Sequence, residues 1–361
     1  MSEPMTALGM TMDQVVMNVV IPAAKIAVVL GVISGGVAYL TLMERKVLGF
    51  MQLRLAPRRV GPRGLLQPIA DGIKLLLKED VMPIGADRAL FLLAPVLAII
   101  PAFASLAVLP FASEPFTVFG YTVTPFITDV NIGVLYILSI TSLGIYGIIL
   151  GGWASNSKYS LLGSLRSAAQ MISYEVPLGL AIIGVLMLSG TASMVGIVEA
   201  QRDAGLWFFV PQIVGLFCFF VSAVAETNRL PFDLPEAEAE LVAGYQTEYA
   251  GMKFAFFMLA EYTAMIIVGS VTTTLWLGGW MRPFPNVEAL AFLDWLNFIH
   301  PALSGVFWFA IKVVSVLYVY IWLRGTFPRY RYDQLMRIGW KWLLPLSLLN
   351  VLGTGLWLVL R

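Results

Sequence analysis

Residues 254–277 read "FAFFMLAEYTAMIIVGSVTTTLWL", 24 residues with a single charged side chain, Glu261. As a helix rising 1.5 Å per residue the stretch is about 36 Å long, enough to cross a hydrocarbon layer of about 30 Å. Seven further stretches have the same character, roughly 19–43, 89–111, 131–151, 168–188, 206–225, 303–323 and 342–360. In lipid every backbone N–H and C=O must be satisfied within its own segment, so these are predicted to be helices, and the period-2 alternation of an outer-membrane barrel is absent. The expected fold is an all-α polytopic membrane protein of about eight transmembrane helices, forming one membrane domain over residues 1–361.

Composition supports that class. Of 361 residues 59% are hydrophobic and 12% charged, with mean hydropathy +0.83, whereas soluble domains carry about 25% charged residues. A net charge of +1 gives no basis for a nucleic-acid partner. One cysteine, Cys218, and one histidine, His300, are too few for an iron–sulfur cluster, a structural zinc or a bis-His haem. An electron carrier is therefore expected in another subunit or as a free ligand. The first 18 residues have no basic n-region and no small-residue cleavage site, so no signal peptide is read there. Internal repeats of the kind that mark many secondary transporters are also missing.

Lysine and arginine set the orientation. The first loop carries nine of them, from Arg45 to Arg88, and the seventh carries five, Arg324, Arg329, Arg331, Arg337 and Lys341. The even loops and the C-terminus offer only Arg202, Arg282 and Arg361. Odd loops are expected to face the cytoplasm and both termini the periplasm. Within the first loop, residues 64–80 ("GLLQPIADGIKLLLKED") place Leu66, Ile69, Ile73, Leu76 and Leu77 on one helical face and Asp71, Lys74 and Lys78 on the other. Too short and too charged to span, this segment is expected to lie in the interface plane as an amphipathic helix on the cytoplasmic side. It serves either to tie two spans together or as the lip of an opening toward lipid.

Ionisable side chains inside spans are costly and usually pair or line a polar cavity. Glu175 lies in the fourth expected span, Glu261 in the sixth and Lys312 in the seventh. Buried carboxylates are candidates for proton exchange; the plainer expectation is a fixed Glu261–Lys312 pair that holds two helices together. Lys25, near the outer end of the first span, is expected to snorkel. The cytoplasmic loop 226–250 is the other concentration of acid, with Glu226, Asp233, Glu236, Glu238, Glu240 and Glu248 opposed by Arg229 alone. Leu230, Phe232, Leu234, Leu241, Tyr245 and Tyr249 make it too apolar for a solvated loop, so a partly buried carboxylate cluster facing a partner is expected.

Four long motifs, in order, carry a family resemblance: "ERKVLGFMQLR" with "VGPRGLLQPIADGIKLLLKED", "ASNSKYSLLGSLRSAAQMISYEVPLG", "AETNRLPFDLPEAEAELVAGYQTEYAGMKFAFFMLAEY" and "RGTFPRYRYDQLMRIGWK". Over about residues 43–346 the chain resembles a membrane-arm family of the respiratory NADH:quinone oxidoreductases, complex I: their H subunit, whose mitochondrial counterpart is NADH dehydrogenase subunit 1. The resemblance implies a multi-pass protein of the bacterial inner membrane at the junction with the soluble arm. Its partners would be soluble subunits that carry or adjoin the terminal iron–sulfur cluster, neighbouring membrane-arm subunits and lipid. Quinone (ubiquinone or menaquinone) would be its substrate, with FMN, haem and iron–sulfur clusters bound elsewhere. Carried onto this sequence, Glu44, Arg45, Asp71, Glu226, Glu236, Glu238 and Glu240 line the quinone chamber. Glu175 and Glu261 continue an acidic path for protons or coupling, and Lys312 is grouped with them as an intramembrane ionisable residue. The nearest alternative is the equivalent component of a membrane-bound hydrogenase or related ion-pumping oxidoreductase.

Overall fold

The computed structural model describes residues 12–118, 120–234, 243–283 and 300–360. Among them seven helices are long and apolar enough to cross a membrane, and an eighth apolar helix is shorter. In chain order the helices are α1 (Ile21–Met51), α2 (Gln67–Leu77), α3 (Arg88–Ala104), α4 (Gly133–Ala154), α5 (Lys158–Ser189), α6 (Met194–Ala204), α7 (Ile213–Glu226), α8 (Gly251–Trp276), α9 (Pro301–Thr326), α10 (Tyr332–Ile338) and α11 (Leu344–Leu360). A helical lead from Met12 and a π-turn, Val16–Val20, run into α1, and a second π-turn, Gly339–Leu343, joins α10 to α11.

Small residues let these helices approach closely, which matters in lipid, where no hydrophobic force drives helices together. At Gly147 of α4 a Cβ would come within 2.7 Å of the Ala98 backbone nitrogen and 2.9 Å of the Ala94 carbonyl oxygen, so α3 and α4 touch backbone to backbone. The buried face of α5 carries Ser160, Gly163, Ser164, Ser167 and Ala168, and α4, α7 and α11 all pack on α5. Local capping follows ordinary chemistry. The Asp87 carboxylate accepts from the Ala89 and Leu90 amides at the start of α3, and His300 Nδ1 accepts from the Ala302 amide at the start of α9.

Two expectations need correction. The fifth stretch, 206–225, is helical only from Ile213. Pro211 lacks the amide that a helix interior requires, and the Phe209 amide instead donates to the Trp276 carbonyl. The fourteen residues of α7 rise only about 21 Å, so Glu226 at its end, and the loop after it, sit inside the bundle. Second, Lys25 does not simply snorkel: its Nζ donates to Thr124 Oγ1 (2.8 Å) and to the Phe126 carbonyl (3.2 Å). The segment between α3 and α4, of which the sequence gives no sign, forms an antiparallel hairpin, β1 (Phe116–Val118) with β2 (Tyr121–Val123). There the Tyr121 hydroxyl donates to Asp13 at 2.7 Å. Hairpin and lysine together pin the far end of α1, whose first half contributes no buried residue.

Candidate functional site

The first half of α1 is apolar apart from Lys25; the second half ends in the charged residues of the first basic loop. Because the helix continues to Met51 rather than stopping near residue 43, Glu44 and Arg45 are helical and point in different directions. Glu44 is buried, 5% exposed, against α8 and α9. It accepts a hydrogen bond from the Tyr262 hydroxyl (2.8 Å), lies 3.7 Å from Arg229 Nη1 and pairs with Arg324. Arg229 in turn places Nε 2.7 Å from Glu261 Oε1 and its guanidinium 4.2 Å from the Tyr262 ring centroid. Two carboxyl groups thus face two guanidinium groups, and when all four are ionised their charges cancel. A buried pair of this kind is destabilised strongly when one partner is removed, by about 3–5 kcal/mol, because a charge is left in low dielectric.

Arg229 reaches this position from the loop after α7. Backbone at that depth is tolerated only where protein satisfies its polar groups, and here it does. Gln170 Nε2 on α5 donates to the Ala225 and Phe232 carbonyls, both at 2.7 Å. Asn228 adopts a positive φ of 50°, a conformation asparagine accepts more readily than most residues. Asp233 is buried with Arg329 Nη2 at 3.1 Å, and the Phe232 ring stacks on Tyr330 at 5.5 Å. Beyond the undescribed segment, Tyr249 stacks on Phe91 with centroids 4.1 Å apart. The described parts of the acidic loop are therefore packed into the bundle. Glu236, Glu238 and Glu240 lie outside the described residues.

Two cavities adjoin this cluster. The larger, about 100 Å³, is lined by Glu226, Glu261, Thr141, Asn228 and Tyr245 together with apolar residues of α3, α4 and α8. The smaller, about 40 Å³, shares Glu226, Thr141, Ile267 and Val268 with it and continues between Phe219, Met194 and Val271. A water needs at least about 10–15 Å³ by this measure and a few polar partners, so the larger cavity has room for several. Glu175 on α5 accepts a hydrogen bond from the Ser142 hydroxyl of α4. Glu261 and Glu226 thus line a common cavity, and Glu175 is not part of its lining. Among the described residues no group of three or more histidine, cysteine or carboxylate side chains is placed to hold a metal ion.

Arg45 and Asp71, from different helices, also meet. Arg45 Nη1 donates to Asp71 Oδ2 at 2.6 Å, Gln67 Nε2 donates to Oδ1 at 3.2 Å, and Lys74 lies 3.7 Å away. Partial desolvation pushes the Asp71 carboxyl up, but the bonds from Arg45 and Gln67 and the charges of Arg45 and Lys74 outweigh it and hold it below the usual carboxylate range. On the opposite face of α2 Leu66, Ile69, Ile73, Leu76 and Leu77 are exposed together. Lys253 at the start of α8 holds Asp80 at 2.9 Å, tying the segment after α2 to the bundle.

The Glu261–Lys312 pair is not formed. Glu261 pairs with Arg229, whereas Lys312 Nζ donates to the carbonyls of Leu277, Gly279 and Met281, beyond the far end of α8. Helix direction explains the separation. Glu261 lies in the half of α8 that begins beside the basic loops, while Lys312 lies in the half of α9 that begins at the opposite face. The sequence marks Arg324 only as a topology signal and does not single out Tyr262. The available signal is an arginine in the last turn of a span that is charged elsewhere only at Lys312, level with Glu44 once the spans are drawn antiparallel.

Residues 24–355 match the family described as NADH dehydrogenase. The chain is 52% identical over 325 residues to the NADH-quinone oxidoreductase H subunit of Rhodospirillum rubrum, an overlap that covers 90% of each chain. It is 51% identical over 343 residues to the first NADH-quinone oxidoreductase H subunit of Geobacter sulfurreducens, covering 92% of this chain and 93% of that one. The corresponding protein of Rickettsia canadensis is 54% identical over 312 residues, 86% of each.

Proposed function

The chain belongs to the NADH dehydrogenase family, as a membrane component of a multi-subunit NADH-quinone oxidoreductase, and from that premise we propose that it walls the membrane side of a quinone chamber and couples quinone reduction to proton translocation. The supporting observation is the contact of the Glu44–Tyr262–Arg229–Glu261–Arg324 cluster with a cavity that leads to Glu226. A cluster whose charges balance only when both carboxyl and both guanidinium groups are ionised is disturbed by a change of charge at its edge. Reduction of a quinone to a quinol consumes two protons at the headgroup. In this reading Arg45 and Asp71 meet the incoming substrate, and the acidic segment with Glu236, Glu238 and Glu240 lies at the inner end of the chamber. A change of proton or charge there passes through Arg229 to Glu261 and Glu226, and from Glu226 toward Glu175.

The substrate reaches the chamber from lipid past α2, whose exposed apolar face lies in the interface while Asp71 faces α1. The same reading puts the basic loops in the cytoplasm, both termini in the periplasm, the protein in the bacterial inner membrane, and the soluble subunits against the basic face. Neighbouring membrane subunits receive the coupling signal at the Glu175 side. Electrons are carried by the soluble partners, and ubiquinone or menaquinone is the acceptor.

The lip is open to a direct test. Ala70 is half-buried beside Asp71, and in the assembled complex Ala70→Trp should slow reduction of a long-tailed quinone more than that of a short-tailed analogue. An equal loss with both would remove α2 from the entrance.

A further inference from the structure

Lys312 is an intramembrane ionisable residue that the proposed path does not use, and its surroundings are built to receive an ammonium. A lysine ammonium has three N–H donors, and three carbonyl oxygens receive them, those of Leu277 (2.7 Å), Gly279 (2.9 Å) and Met281 (2.6 Å). The ammonium also lies 4.5 Å from the Trp207 ring centroid, where the π-face adds attraction for a cation. The residue is 7% exposed.

The turn that offers these carbonyls is itself held in shape. Gly278 and Gly279 have φ of 71° and 52°, and a Cβ at Gly278 would come within 2.5 Å of Trp207 Nε1. Gln201, fully buried on α6, accepts from the Gly278 and Phe208 amides and donates to the Thr274 carbonyl. The end of α8, the start of the chain into α7, and α6 therefore converge on one cation at the carbonyl end of a helix, where positive charge is favoured.

This site stands between the cavities and the membrane face opposite the basic loops. The smaller cavity extends along α8 past Ile267 and Val268 to Val271. Next come Leu275 and Trp276, both fully buried, with Phe219 packed on Trp276 at 4.7 Å. Leu277 and the Lys312 site follow directly. An apolar plug backed by a lysine ammonium held on three carbonyls is a barrier to protons and other cations while the ammonium is charged.

We propose that Lys312, seated in the carbonyl turn 277–281, is an electrostatic seal that closes the Glu261–Glu226 cavities toward the opposite face, so that protons entering them leave sideways toward the Glu175 side and do not cross this chain. The seal rests on the carboxylate path proposed above. Lys312 is a positioning and barrier residue here, not one that exchanges protons with the path.

The test uses the whole complex in proteoliposomes and an acid pulse without NADH, which reads passive proton leak. Lys312→Gln retains an amide donor for the carbonyls but loses the charge; Lys312→Arg retains the charge. The expected result is a leak raised several-fold in Lys312→Gln and unchanged in Lys312→Arg. In the double variant with Glu226→Gln the leak should return to the parent level, because the route runs through Glu226. A leak that persists in the double variant marks a packing defect and overturns the seal. A Lys312→Gln complex as tight as the parent overturns it too. Failure of Lys312→Gln and Lys312→Met to assemble, with Lys312→Arg assembling, assigns the lysine to folding alone and equally overturns it. The path itself is judged separately, by whether Glu226→Gln alone abolishes coupling.

Discussion

Arg229 holds two carboxylates at once and stacks on a tyrosine, a combination that a planar, forked guanidinium can make and an ammonium cannot. Arg229→Lys is therefore expected to fall well short of the parent. A mismatched cation leaves Glu44 or Glu261 poorly paired, and breaking a buried ion pair costs about 3–5 kcal/mol. The yield and thermal midpoint of the assembled complex should both drop. Tyr262→Phe removes the donor to Glu44, a hydrogen bond to a charged group worth about 1.5–3 kcal/mol, and should assemble with a smaller loss of midpoint. Equal midpoints for Arg229→Lys and the parent would reduce the cluster to an incidental contact.

At the scale of elements, an ion pair between Arg45 and Asp71 joins α2 to α1, and that tether has a defined pH window. The Asp71 carboxyl titrates lower in the folded protein than in the unfolded chain. Its contribution is then fully present above the ordinary carboxylate value and is lost as pH falls through the depressed one. Hydrogen-exchange protection of 67–77, corrected for intrinsic rates, should be flat from about pH 5 to 9. Asp71→Asn should lower it throughout that range. Loss of protection between pH 5 and 7 in the parent would show that another group holds the helix. The pair is partly exposed to solvent, which keeps its worth small.

For the whole molecule, the long spans and the amphipathic α2 are legible in the sequence because length, hydropathy and a 3.6-residue period state them directly. The shortness of α7 is hidden, since an apolar composition from 206 onward looks the same whether Pro211 turns the chain or not. The hairpin at 116–123 escapes notice because three-residue strands lack enough alternation to register. At the site, composition exposes Glu175, Glu226, Glu261 and Lys312 as charges out of place. Which cation meets which acid depends on helix direction and depth, so the sequence alone matches Lys312 to the wrong partner and overlooks Arg324. Orientation can be checked on the intact molecule. Cys218 is fully buried, so background labelling should be low, and cysteines placed at Lys74 and Lys78 should react with an impermeant reagent from the cytoplasmic side only. Periplasmic reaction would invert the topology.

The central claim, that quinone chemistry is coupled to proton movement through the cavity shared by Glu261 and Glu226, is tested most directly at Glu226, which lines both cavities. The measurement is proton uptake and quinone-linked NADH oxidation by the assembled Glu226→Gln complex in proteoliposomes, beside NADH oxidation with a hydrophilic artificial acceptor. The account predicts normal assembly, an unchanged artificial-acceptor rate, and strong loss of both the quinone-linked rate and the proton gradient. A Glu226→Gln complex that reduces quinone and pumps protons at the parent rate would contradict it.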